Sequence, residues 1–284
     1  MPDSGPAFFA VDVGASWVKS GTVVHGRVED VAREPVARGL DELVTQIGRL
    51  RDASGAGTWG LCVAGLVDAA AGTLRYSANL DLRDAPLVEL LNATGRAPAV
   101  FANDLDAAAV GEAGGGTLAL LQVGTGIAGR FAVEGVVPPS ATGLAGEVGH
   151  LTFRPGGLEC SCGRRGCVEA YGGWRGIAAR CEELGHDALI DEVLEADWAE
   201  EIRADAVEAI GFAAAALVAA HDPGTLRLGG GVAAVWGEPL LEAVRAAVRH
   251  RVLPAVGEAT VVEPTRLGEA APLLGLALLA RSGT

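Results

Sequence analysis

Short apolar runs recur along the chain, and most stop at a glycine or at an Asn-Asp pair. Ala7 to Val13 is apolar at nearly every position and ends at Gly14, which predicts a buried strand. Trp17 to Val24 follows as a second β-rich run, and His25-Gly26 marks a turn. Leu40 to Leu50 has helical spacing, and Trp59 to Val67 reads as one apolar strand. Pro86 to Leu91 opens a helix, with proline near the first turn where its missing N–H costs nothing. Pro98 to Ala102 is a strand ending at Asn103-Asp104, and Leu105 to Ala113 is helical.

The pattern then restarts. Thr117 to Val123 predicts a strand, Thr125 to Gly129 a glycine-rich turn, and Arg130 to Val133 the returning strand. A loop-rich stretch runs from Gly143 to Gly173, and the longest helix covers about Asp197 to His221. Leu226 to Leu228 is a strand leading into Gly229-Gly230-Gly231; Pro239 to Val252 is helical, Ala259 to Val262 a strand, and Glu269 to Ala280 a closing helix. A hairpin followed by alternating strands and helices, twice over, predicts two α/β domains with mixed sheets and ligands in the cleft between them. The expected domains are 1–113 plus 270–284, and 114–269; a single large α/β domain is the alternative.

Composition narrows the class. With 284 residues and 50% hydrophobic content, the chain can bury two cores. Its 22 basic and 36 acidic residues leave a net charge of −14, which argues against a nucleic-acid surface. Ala209 to Ala220 and Pro272 to Ala280 are the most apolar helical stretches and are too short to span a bilayer. The first strand begins near Ala7, so neither a secretory signal nor a leading winged helix is expected, and the predicted location is the cytoplasm. The five cysteines are then expected to be reduced, and clustered ones become metal or catalytic candidates.

His150, Cys160, Cys162 and Cys167 form such a cluster, with three sulfurs and one imidazole to close a tetrahedral structural zinc site. Cys62 and Cys181 lie apart and read as small core residues. Glu147 and Glu169 flank the cluster, and carboxylates braced by a metal loop are suited to gripping vicinal hydroxyls; solvated loop positions would place them equally in sequence. The two glycine corners, Val13-Gly14-Ala15-Ser16 and Val123-Gly124-Thr125-Gly126, suit phosphate, and Asp12 stands where it can hold Mg²⁺ directly or through water. Ordinary hairpin turns use the same residues. Gly229 to Val232 suits a flat adenine or ribose, or a tight strand-to-helix connection. Asp104, at a strand end, can serve as the base for a hydroxyl attacking phosphorus, with Asn103 orienting the sugar through its amide; a cap for the following helix is the other role open to Asp104.

Together these motifs resemble the ROK family of sugar kinases and sugar-responsive repressors. The matching stretches, in order, are Asp12 to Lys19, Ala64 to Asp68, Ser77 to Leu80, Ala102 to Glu112, Leu121 to Ala128, Gly146 to His150 with Cys160 to Glu169, and Gly229 to Val232. The resemblance implies an actin-like (ribonuclease H-like), two-lobed ATPase fold with mixed sheets. It implies Asp104 as catalytic base, sugar contacts from Gly65, Asn79, Asn103, Asp104, Glu147, His150 and Glu169, and nucleotide contacts from Asp12, Gly14, Ser16, Lys19, Gly124, Thr125, Gly126, Gly229, Gly230 and Gly231. The implied cofactors are structural Zn²⁺, Mg²⁺ and ATP as phosphoryl donor. The implied reaction is phosphorylation of a hexose, glucose at its 6-hydroxyl first and N-acetylmannosamine or another hexose next, by a homodimer or homotetramer. A non-catalytic sugar-sensing regulator is the competing class. Three positions depart from the usual pattern: Ala15-Ser16 replace Gly-Thr, Arg130 replaces a small residue, and Asp81-Leu82-Arg83 stand where many glucokinases carry Gly-Trp.

Overall fold

A computed structural model describes residues 7–282. Two compact units divide the chain: one runs through Gly115 and adds Gly135–Leu144 and the segment from Glu269 onward, the other comprises Gly116–Glu134 and Ala145–Gly268. Residues 135–144 group with the first unit, where the sequence pattern had put them in the second.

In the first unit, β1 (Phe8–Val13) is the spine of a five-stranded sheet, and all six of its residues are buried, Asp12 included. Strands β2 (Trp17–Val24) and β3 (Arg27–Pro35) run antiparallel on one side of it, and β4 (Thr58–Val63) and β8 (Val100–Asn103) run parallel on the other, in the order β3-β2-β1-β4-β8. A strand paired on both sides and covered on both faces reads as a continuous apolar run, which is why β1 was legible. β3 was not: it is polar and mostly exposed, so no alternation announces it. Helix α1 (Leu40–Ser54) packs Leu43 and Ile47 into the core formed by Phe9, Val11 and Leu61.

The predicted strand Trp59 to Val67 breaks after Val63. Leu66–Asp68 is β5, which joins β6 (Thr73–Ser77) and β7 (Leu82–Ala85) in a separate three-stranded sheet. The break is at Gly65, whose φ of 136° disfavours any side chain and where a Cβ would lie 2.5 Å from the Tyr76 carbonyl oxygen. Two further helices, α2 (Leu87–Ala93) and α3 (Asp104–Ala113), complete this part of the unit.

The second unit repeats the opening move. β9 (Leu118–Val123) and β10 (Ile127–Ala132) form an antiparallel hairpin, and β11 (Thr225–Gly229) and β12 (Val261–Pro264) add in parallel, in the order β10-β9-β11-β12. Between β10 and β11 lie α4 (Val168–Gly172), α5 (Trp174–Glu183), α6 (Ile190–Glu195) and α7 (Glu200–His221). α7 buries an alanine-rich face with Ile210 and Leu217, and it packs against α8 (Gly231–Arg251). A kink at Gly237, where φ is 57°, divides α8 into two helical stretches, and the predicted helix from Pro239 is the second of them. After α9 (Pro254–Ala259), the last helix α10 (Ala271–Ser282) belongs to the first unit, where Leu273 and Leu276 pack with Phe8, Ala10, Cys62 and Ala102.

Candidate functional site

In the first unit the chemistry collects at one end of the five-stranded sheet. Register places Asp12 on β1 opposite Cys62 on β4, and Cys62 opposite Ala102 on β8, just before Asn103-Asp104. The Cys62 thiol donates to Asp12 Oδ1 at 3.5 Å. Burial, and then the Asp12 and Asp104 carboxylates, hold that thiol well above its ordinary value, so it stays a neutral donor. Cys62 is thus more than the core filler its sequence context indicates. Lys19, across the hairpin from Asp12, brings Nζ within 3.8 Å of Asp12 Oδ2 and 3.5 Å of Glu269 Oε1. Burial raises the Asp12 carboxyl above its usual value, only partly offset by the Lys19 charge. Asp12 is thus a buried carboxylate whose cationic partner Lys19 is shared with Glu269.

Asn103 and Asp104 have distinct jobs. Asn103 is the N-cap of α3: its Oδ1 accepts from Leu105 N at 2.9 Å and from Asp106 N at 3.0 Å. Its Nδ2 donates to the Gly65 carbonyl at 2.8 Å and to Asp104 Oδ1 at 3.0 Å. An Asn side chain has two donor hydrogens and two acceptor sites, and all four are used within the protein. Within the protein the Asn103 amide fixes Asp104 and the Gly65 bend. The capping role weighed for Asp104 is corrected, because Asp104 is the first residue of α3 rather than its cap. Asn79 lies exposed, with its backbone carbonyl accepting from Arg38 at 3.2 Å.

The second unit holds the Cys/His cluster. His150 ends a short 3₁₀ turn (Val148–His150), and the ligand atoms of His150, Cys160, Cys162 and Cys167 all lie within 4.8 Å of one another. Cys160 Sγ is 3.6 Å from His150 Nδ1, and Cys162 Sγ is 3.7 Å from Cys167 Sγ. A zinc ion about 2.3 Å from each sulfur in a tetrahedron implies sulfur–sulfur edges of about 3.8 Å, which the Cys162–Cys167 separation matches. Burial pushes the Cys162 thiol up, but the backbone N–H and guanidinium of Arg164 outweigh it and bring it to about 6. Burial and the neighbouring Cys162 sulfur push Cys167 up to about 12. Three crowded thiols cannot all ionise without a cation among them, and soft sulfur with imidazole suits Zn²⁺.

Around this cluster, Glu147 precedes the 3₁₀ turn with Oε1 3.9 Å from Arg130 Nη1. Arg130 is 5% exposed; its Nη1 donates to the carbonyls of Gly129 at 2.8 Å and Ala145 at 2.6 Å. It neither points to solvent nor lies on the glycine corner, but clips the Glu147 segment to β10. Glu169, in the first turn of α4, accepts from Ser161 Oγ at 3.1 Å and from Ile127 N at 3.0 Å.

The glycine corners share one detail. Gly14 N donates to Trp17 O, and Gly124 N donates to Gly126 O, both at 2.9 Å. These two amides close their own turns. Parallel pairing of β9 with β11 brings the second corner beside Gly229-Gly230-Gly231, where Gly230 precedes α8 and Gly231 opens it. A Cβ on Gly124 would lie 3.9 Å from Gly231 N. Two glycine segments thus meet at the carboxyl ends of parallel strands, where ligands of α/β sheets are held. Among the described residues, no helix is long and apolar enough to cross a membrane.

The ROK family profile matches residues 13–282. The chain belongs to the ROK family. It is 30% identical over 243 residues to a glucokinase of Halalkalibacterium halodurans, covering 76% of this chain and 73% of that protein. Its fold is similar to a ROK hexokinase from Thermus thermophilus, with a TM-score of 0.84 and 29% identity over 97% of this chain and 98% of that one. It is also similar to a ROK family glucokinase from Streptomyces griseus in complex with glucose and AMPPNP, with a TM-score of 0.79 and 27% identity over 97% and 99% of the two chains. The fold is the actin-like ATPase fold of ROK sugar kinases. Three groups in this ROK chain escaped sequence reasoning: the Cys62 thiol, the Ser161 hydroxyl and the Ile127 amide. Only Ser161 left a signal, its position between two ligand cysteines.

Proposed function

We propose that the protein is an ATP-dependent hexose kinase, with glucose at its 6-hydroxyl as first substrate and N-acetylmannosamine or another hexose as the alternative. Asp104 accepts the proton of the attacking hydroxyl, and Asn103 holds its carboxylate. Asp12 holds Mg²⁺, and Lys19 and Ser16 serve the phosphates. Gly124, Thr125 and Gly126 form the second phosphate corner, with Gly229 to Gly231 against the nucleoside. Glu147, Glu169 and Nε2 of His150 accept and donate to sugar hydroxyls, with Asn79 and the Gly65 bend beside the substrate. Zinc bound to His150, Cys160, Cys162 and Cys167 supplies no open coordination position, so its chemistry is structural.

The observation that carries this reading is the Asn103–Asp104 pair. A carboxylate at the start of α3, held by the neighbouring Asn103 amide at the sheet end that also holds Asp12, is what a base for phosphoryl transfer needs. A coupled assay with ATP, Mg²⁺ and a hexose panel, followed by product analysis, tests it. Turnover on one hexose is expected; folded, metal-loaded protein that binds sugar but turns over none overturns the kinase and leaves a sugar-sensing regulator.

A further inference from the structure

The peptide of Ile127, at the exit of the second glycine corner, lies between the two arms of the Cys/His loop. Its N–H donates to Glu169 Oε2 at 3.0 Å, and Glu169 is two residues beyond the ligand Cys167. Its carbonyl faces Gly149, one residue before the ligand His150, so closely that no Cβ fits there. The other oxygen of Glu169 accepts from Ser161 Oγ at 3.1 Å, and Ser161 lies between the ligands Cys160 and Cys162. Gly126, just before Ile127, leaves the room that the Glu169 carboxylate occupies.

The chain that follows Glu169 holds the rest of the corner. Trp174 N donates to Gly124 O at 2.8 Å, and Arg175 N donates to Thr125 O at 3.1 Å. These are among the first amides of α5, which has no side-chain cap; the corner's carbonyls satisfy donors that would otherwise be left over. Gly124, Thr125 and Ile127 thus hydrogen-bond through their backbone to Glu169 or to the start of α5, and a side chain at Gly126 would collide with the Glu169 carboxylate.

We propose that Glu169 is a positioning residue that couples the Cys/His metal site to the 124–127 corner, so that metal occupancy sets the order of the corner and, with it, the corner's affinity for nucleotide phosphate. A bound metal fixes both arms, and with them Ser161 and Glu169. Without it the three sulfurs are held by each other and by hydrogen bonds to His150 and Arg164. The charge-assisted bond from Glu169 to Ile127 N then loses its rigid support. The nucleotide part of this proposal rests on the function proposed above; the metal-to-corner coupling does not.

Amide hydrogen exchange over residues 118–129 and calorimetric titration with Mg·ADP test it, on metal-loaded wild type, chelator-stripped wild type, metal-loaded Ser161→Ala and both forms of Glu169→Ala. Stripping wild type should speed exchange at 124–127 and weaken ADP binding by about fivefold or more, while exchange in β1 and β4 stays unchanged. Ser161→Ala should keep its metal and show an intermediate effect. In Glu169→Ala, which removes the acceptor of both the Ile127 and the Ser161 bonds, stripping should add less than about twofold, because the link is already cut. Unchanged exchange at 124–127 after stripping overturns the coupling, as does an equal stripping effect in Glu169→Ala. If exchange responds but ADP binds in no form, the coupling stands and the nucleotide assignment falls.

Discussion

Asn103 caps α3 with its Oδ1 while its Nδ2 donates to Asp104 Oδ1 at 3.0 Å, so one side chain both starts a helix and aims the carboxylate beside it. The two residues should therefore separate in mutation. Asp104→Ala is expected to lower kcat by about 10²–10⁴-fold, since it removes the base. Asn103→Ala should cost about 1 kcal/mol of stability through the lost cap and also lower kcat. Steady-state kinetics and thermal melts on the two variants check this; an Asp104→Ala variant that keeps full turnover removes the base assignment.

Arg130 sits under the 145–147 segment and holds the Ala145 carbonyl. Arg130→Met should raise the KM for sugar by about tenfold or more through Glu147, with the KM for ATP unchanged. Arg130→Lys, which keeps a charge but loses the fork, should recover part of the loss. Equal shifts in both KM values would mean that Arg130 supports the fold at large rather than Glu147.

Asp12 gives a pH signature. Burial holds its carboxyl above the usual value, so the folded protein binds this proton more tightly than the unfolded chain does. Its contribution to stability is therefore full below the unfolded value, about 3.9, and is lost as pH rises through the raised native one. Asp12→Asn carries no such charge. Without divalent metal, the stability of Asp12→Asn relative to wild type should increase with pH across that window and then level off. Mg²⁺ should stabilise wild type and not the variant. A pH-independent difference in urea melts would contradict this.

Emission spectroscopy of purified protein should find about one zinc per chain, and Cys167→Ser, which removes a buried ligand, should lose it. The stripped protein should also bind sugar more weakly, because Glu147, His150 and Glu169 all hang on the metal loop. Full sugar affinity without metal would refute that role for the ion.

What could be read from the chain was what lies close along it. The four candidate metal ligands fall within one short segment, so their types and spacing mark the cluster in the sequence. The two glycine corners, the restart of the strand pattern and the Asn-Asp pair at a strand end are equally local. Even there the sequence could not say which of Asn103 and Asp104 caps α3, because the two differ only in the direction their side chains take.

The rest was decided in space. Cys62 meets Asp12 across 50 residues, Ile127 meets Glu169 across 42, and Arg130 meets Ala145 across 15. No periodicity records such pairs. They follow from the register of β1 against β4 and from the way the metal loop folds back on β10. The same holds for residues 135–144, which join the first unit although the chain around them belongs to the second. Composition and spacing determined which groups are present; the packing of strands and loops decided which side chains they touch.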